Sequence, residues 1–225
     1  MSKTIIIMKH LRYIVIWLML IPLHGLCKGE DDDFHRHRFG MSGALTSSDT
    51  WQLDFTYHYM LTRNIGVGGA LGTWEQWYID GMPIGDNWWI DSDDEHIGNI
   101  YLRPSLLLVS PRLFSAGLWN FALMAEPGVM MNVPYQRVCI EMSENYHISD
   151  YKYVSTSRGQ WCAFECRAGI EANFMYGNIT LGYMFSTLDI YGIRRNLRFD
   201  GVSFGDFYPR RRLMHGAFLS VTIGL

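Results

Sequence analysis

Beyond its N-terminus the 225-residue chain has no apolar run near the roughly 18 to 20 residues that a spanning helix needs. A helical membrane protein is thereby excluded. Charge is scarce: Asp, Glu, Lys and Arg make up 18% of the chain, against about 25% in ordinary soluble domains. Neither sign dominates, and the net charge is -3. A nucleic-acid binder needs a basic surface to neutralise phosphates, and no global excess of that kind is encoded. Cysteine is limited to four residues. Apolar material is plentiful, with 48% hydrophobic and 15% aromatic residues, which excludes a disordered chain. These side chains are abundant yet never concentrated. The length allows one domain or two small ones.

Residues 1–27 read as a secretory signal, leaving 28–225 as a single mature domain. Lys3, Lys9 and Arg12 supply positive charge, and Tyr13 to Leu23 form the apolar stretch. Gly25 and Cys27 are the small residues before a cut at Lys28. A start at Met8 gives a more ordinary signal. A retained anchor is the competing reading, but the run is short for one. Cys27 also invites a lipoprotein reading, weakened by Leu26 where a small residue is expected. Export implies an oxidising compartment. Cys139, Cys162 and Cys166 then remain, an odd number that argues against a full disulfide framework. Cys162 and Cys166 lie too far apart along one strand to bridge. Cys139 with Cys162 is possible, and three packed thiols are the alternative.

After residue 35 the apolar residues recur with period two, the mark of β-strands. In 51–61, Trp51, Leu53, Phe55, Tyr57, Tyr59 and Leu61 oppose Gln52, Asp54, Thr56, His58 and Met60. The last segment sets Leu213, Ala217, Leu219, Val221 and Ile223 against Met214, Gly216, Phe218, Ser220 and Thr222. Six further segments follow the same rule: 37–46, one from Ile65, one through Ile100–Leu108, 119–132, 164–174 and 178–186. Alternation in the third fades beyond Gly72. Eight segments of about ten residues match the length of a tilted membrane-spanning strand. Pro104 and Pro127 fall inside two of them and count against those strands, or mark bulges.

Parity alone does not say which face is out. A soluble barrel or sandwich holds its apolar side within, and a membrane barrel reverses this. Two features favour the membrane. The polar face carries both signs of charge, in Asp54, Arg103, Glu126, Glu165, Arg167 and Glu171, as a self-paired lumen requires. The connections also alternate in length. Those near 62–64, 110–117 and 175–177 are short or modest, and those near 80–97, 134–158 and 191–212 are long. Short periplasmic turns and long outer loops produce this alternation. The fold expected is an all-β, eight-stranded antiparallel up-and-down transmembrane barrel.

Three passages carry a family resemblance. YMLTRNIGVGGALG at 59–72 resembles the strand–turn–strand unit of small outer-membrane β-barrels of the OmpA, OmpX and OmpW type. GNITLGYMFSTLD at 177–189 resembles the penultimate strand of porin-like members. FLSVTIGL at the C-terminus resembles the terminal strand read by the barrel-assembly machinery, although that strand usually ends in an aromatic residue and this one ends in Leu225. The resemblance covers about 36–225, without the long loops. It implies residence in a Gram-negative outer membrane, with lipid, lipopolysaccharide and the assembly machinery as partners, and a monomeric barrel. It does not imply one activity, since fold does not settle function.

Several clusters invite chemistry. Asp54, His58, Arg103, Glu126, Glu165, Arg167 and Glu171 are expected to form a polar lumen network. Arg194, Arg195, Arg198, Arg210, Arg211 and Arg212 oppose only Asp200 and Asp206 in the loop at 191–212. Arginine forks suit phosphate, so this loop is a candidate lipopolysaccharide contact. A solvated loop, or one paired with the acidic loop, is the plainer reading. That acidic loop, 80–97, holds Asp80, Asp86, Asp91, Asp93, Asp94 and Glu95 around Trp88 and Trp89. Clustered carboxylates can hold Ca²⁺, but the spacing fits no known loop, and a solvated loop near the membrane interface suffices. His58 and Asp54, with Ser42 and Thr46 nearby, suggest a hydrolase only faintly, and His215 and Ser220 fall on opposite faces. His35 and His37 are expected in a polar tail rather than a metal site. The sequon at Asn178 falls within a strand and is discounted. No catalytic set, cofactor or resident metal is expected.

Two functions follow. One is a structural or surface-interaction barrel, its lumen filled by side chains and its outer loops carrying contacts. The other is a narrow porin-like channel, for which Gly40, Ser42, Gly66, Gly68, Gly182 and Gly216 leave inward room.

Overall fold

A computed structural model describes the chain except residues 1–34, 48, 78–81, 92–95, 145–146, 176 and 211–212. The signal-peptide expectation for 1–27 lies outside the described residues. The eight long strands are β1 His37–Thr46, β2 Thr50–Met60, β3 Ile65–Gln76, β4 Ile97–Val109, β5 Trp119–Asn132, β6 Cys162–Phe174, β7 Gly177–Ser186 and β8 Met214–Gly224. Each pairs antiparallel with the next in sequence, and β8 pairs with β1, Met41 facing Val221. The sheet therefore closes and has no edge within the wall.

The period-two pattern sets the wall's polarity. Outward positions are apolar and exposed: Leu45, Phe55, Leu71, Ile100, Leu106, Leu123, Ile170 and Leu181. Inward positions are buried and often charged, among them Asp54, Arg103, Glu126, Glu165 and Arg167. Aromatics sit outward towards both ends of the wall: Tyr57, Tyr59, Trp119 and Phe174 at the short-turn end, Trp51, Trp161, Phe164 and Phe185 at the other. An apolar band between aromatic girdles is the surface that lipid selects. A water-soluble barrel would place these side chains within.

Strand β3 runs on to Gln76, beyond the point where its alternation fades. Trp74 breaks the pattern because it points inward, where the lumen becomes aromatic near the outer rim. Pro104 and Pro127 do lie inside strands, and both flank the β4–β5 seam. That seam keeps one register, from Tyr101↔Asn132 to Val109↔Met124, so no bulge forms. Its pairing lapses at 103–104 and 106–107, because proline offers no N–H to the ladder.

The long connections share one end of the barrel. There Trp88–Ile90, Gln136–Glu144 and His147–Thr156 form a three-stranded sheet. The 187–213 connection folds over it through two short 3₁₀ turns, Arg194–Asn196 and Phe204–Asp206. Trp88, Ile90, Val138, Ile140, Ile193, Leu197 and Phe204 are buried together with Ile97 from the rim. The rings of Trp88 and Phe204 stack at 5.9 Å. These loops thus form a packed cap whose buried side chains run on into the lumen cluster of Trp74, Tyr101 and Met130.

Candidate functional site

The centre of the lumen is built from inward side chains of β2, β4, β5 and β6. Arg167 on β6 reaches across to β2. Its guanidinium donates to Asp54 at 2.7 Å and to Gln52 Oε1 at 3.1 Å, and also to Ser42 Oγ on β1 at 2.7 Å. Its Nε donates to Glu165 at 3.0 Å. Arg103 on β4 lies 2.9 Å from Glu126 and 3.3 Å from Glu165. Tyr101 donates its hydroxyl proton to Asp54 at 2.6 Å. Both guanidiniums and the carboxylates of Asp54 and Glu165 are 0 to 1% exposed. Two cations thus face three carboxylates, and buried charge at this density persists only when each group is paired. Glu171, the remaining expected member, pairs separately with Arg38 at 3.3 Å, towards the short-turn end.

His58 adds a further arm. Its Nε2 lies 3.0 Å from Ser105 Oγ, and that hydroxyl donates to Glu126 at 2.9 Å. The trio has hydrolase residue types, but Ser105 and Glu126 both meet the same ring nitrogen, Glu126 at 3.4 Å. A relay needs the nucleophile and the acid on opposite ring nitrogens. Asp54 and Ser42 are engaged by Arg167 rather than His58.

The inward glycines do not leave an open bore. A Cβ at Gly182 would stand 2.6 Å from the Phe218 ring, and one at Gly72 would stand 2.7 Å from the Tyr101 ring. At Gly66 the Met60 sulfur occupies the same space. Met124, Met130, Met184 and Met214 fill further inward positions. Below the ionic layer a vestibule of about 630 Å³ opens at the short-turn end, where Arg38, Arg112, Asn120 and Glu171 line it.

The loop arginines separate. Arg194 is fully buried in the cap, where it donates to the His96 carbonyl at 2.8 Å and to the Tyr208 hydroxyl at 3.3 Å. It is therefore not presented to a lipid phosphate. Arg195 is paired with Asp189. Arg198 and Arg210 are exposed, and Arg211 and Arg212 lie outside the described residues. Trp88 is buried in the cap, not at a membrane interface. Of the acidic loop, Asp80, Asp93, Asp94 and Glu95 lie outside the described residues, and among those described no cluster of three metal-ligating side chains forms. His37 belongs to β1 rather than to a tail, and its ring meets the Tyr57 hydroxyl at 3.0 Å. Asn178 is buried within β7. Cys139, Cys162 and Cys166 are thiols, so the possible 139–162 bridge does not form.

A closed wall that is apolar outside and ionic within decides the fold class. The chain is a transmembrane β-barrel of eight strands. Known structures resemble it at low identity. The N-terminal β-barrel domain of Pseudomonas aeruginosa OprF shares 9% identity over 84% of this chain and 96% of its own, with a TM-score of 0.42. Neisserial surface protein A shares 6% over 84% and 96%, with a TM-score of 0.43. The outer membrane enzyme PagL shares 11% over 84% and 99%, with a TM-score of 0.35. No protein-family model and no curated protein matches the chain. The feature that the strand pattern did not foretell is the cap. The apolar residues of the long loops, among them Trp88, Ile90, Val138, Ile140, Ile193, Leu197 and Phe204, were the signal for it.

Proposed function

We propose that this protein is a plugged outer-membrane barrel that works as a structural and surface-interaction protein through its capped outer end, without catalytic activity. The observation that carries the reading is the ion-paired layer of Arg103, Arg167, Asp54, Glu126 and Glu165 across the lumen. Eight strands leave an interior that side chains can fill, and here they do. An ion crossing it would have to replace fully buried guanidinium–carboxylate pairs, a step that costs several kcal/mol for each pair broken.

The outer membrane of a Gram-negative bacterium fits the girdled apolar wall, the short turns at one end and the long loops at the other. The barrel-assembly machinery is then the partner that inserts it. Arg198 and Arg210 are the exposed cations best placed to meet lipopolysaccharide phosphates. The test is conductance in planar bilayers, paired with heat-modifiable migration of the membrane fraction. A heat-shifted band with no stable current supports the reading. A steady single-channel current would replace it with the narrow channel. Lipid A masses that change on expression would replace it with a lipid-modifying enzyme.

A further inference from the structure

The vestibule at the short-turn end is a basic cavity. Arg38, Arg63 and Arg112 line it together with His35, Asn120 and Glu171. Among the described residues that line it, Glu171 is the one carboxylate, and Arg38 engages it at 3.3 Å. The turns that frame the mouth, 61–64, 110–118 and 175–177, contain no Asp or Glu. Arg63 and Arg112 stand exposed on two of those turns. Guanidiniums in excess of carboxylates around a cavity of about 630 Å³ make a site for anions.

The chain carries its own anion to this mouth. Gly224 opposes Arg38 in the β1–β8 register, so both belong to the inward face. His35 lies over that face, since a Cβ at Gly224 would stand 2.7 Å from the His35 Cβ. The chain thus enters β1 from over the vestibule. Shortly before His35 come Glu30, Asp31, Asp32 and Asp33, successive carboxylates that lie outside the described residues. Lys28 alone offsets them nearby. A chain spans at most roughly 3.3 to 3.6 Å per residue, so all of them fall within about 18 Å of His35. We propose that the acidic segment 30–33 docks in the vestibule, with its carboxylates on Arg63 and Arg112. Charge complementarity selects this occupant, and its point of attachment places it at the site. Segment and site share one chain, so the contact is intramolecular and forms without competition from dilute free anions. The inner mouth is then filled by the chain itself, whether or not the ionic layer above it closes the lumen.

The test uses the full chain, refolded in detergent micelles, with Asn120→Cys as a thiol inside the vestibule. N-ethylmaleimide is uncharged, and mass spectrometry of the peptide carrying residue 120 reads its rate apart from the native thiols. Neutralising the segment with Glu30→Gln, Asp31→Asn, Asp32→Asn and Asp33→Asn should speed modification roughly tenfold, as for a site that the native segment leaves open about a tenth of the time. High salt should speed it for the native segment and not for the neutral one. Arg63→Gln with Arg112→Gln should give a similar gain. Joining the two sets should add little, because each removes one side of the same contact. Heat-modifiable migration confirms that each variant is folded. Equal rates for native and neutral segments overturn the proposal, as do gains from the two sets that multiply. Inorganic phosphate that protects the thiol equally with either segment also overturns it, because the vestibule then takes free anions and the segment lies elsewhere.

Discussion

Arg167 on β6 and Asp54 on β2 meet across the lumen at 2.7 Å, although 113 residues separate them in sequence. Neither contact partner is adjacent in the sheet, so their ion pair braces the barrel through its interior. Replacing Arg167 with Met leaves Arg103 as the one buried cation of the layer beside Asp54, at 3.9 Å, and Glu165, at 3.3 Å. The expected loss is about 3 to 5 kcal/mol of unfolding free energy, read from urea unfolding in detergent micelles. Adding Asp54→Asn should recover part of that loss, because it removes the carboxylate that keeps only the longer contact to Arg103. A double variant as unstable as Arg167→Met alone would show that the two groups are not coupled.

Crowding above the glycines gives a second prediction. Gly72→Val drives a side chain into the Tyr101 ring and the Asp54 Cβ, both within 2.7 Å of a Cβ there. Overpacking of this kind costs about 1 to 3 kcal/mol. The temperature at which the barrel loses its compact gel migration should fall. An unchanged transition would mean that the lumen has slack at this level.

The cap should open without the wall. Arg194→Gln removes the guanidinium that joins the His96 carbonyl to the Tyr208 hydroxyl. A loss of about 1 to 3 kcal/mol falls on the cap, since buried acceptors there lose a charged donor. Limited proteolysis should then cut within 187–213, while the compact, SDS-resistant band persists. Simultaneous loss of that band would tie the cap to the stability of the wall.

The exposed loop arginines give a fourth prediction. Arg198→Gln with Arg210→Gln should lower the lipopolysaccharide that co-purifies with the barrel, and more so at low salt. Arg195→Gln should matter less, because Asp189 already engages that side chain. Equal retention by all three proteins would remove lipopolysaccharide from the account.

The wall was legible in the sequence because each strand carries two solvents in its pattern. Lipid selects Phe55 and Leu71, the lumen selects Asp54 and Arg103, and the period of two keeps them apart. That pattern holds wherever the environment on each face is uniform. It fails at Trp74, where the inward face passes from ions to the aromatic underside of the cap. The cap was not legible. Arg194 sits among five other arginines and reads as a solvated cation, yet it is fully buried and bonded to the His96 carbonyl and the Tyr208 hydroxyl, groups brought together from two separate loops. No local period encodes such an encounter. The seven charged or ionisable residues expected in the lumen all face inward, but which would meet was set by register: Arg103 and Arg167 gather Asp54, Glu126 and Glu165, and Glu171 falls to Arg38.

The central claim is that the ionic layer closes the lumen, and single-channel recording in planar bilayers tests it most directly. The unsubstituted barrel should give no stable current, and Arg103→Ala with Arg167→Ala, in protein that still shows heat-modifiable migration, should give measurable openings. A steady current from the unsubstituted barrel would contradict the claim.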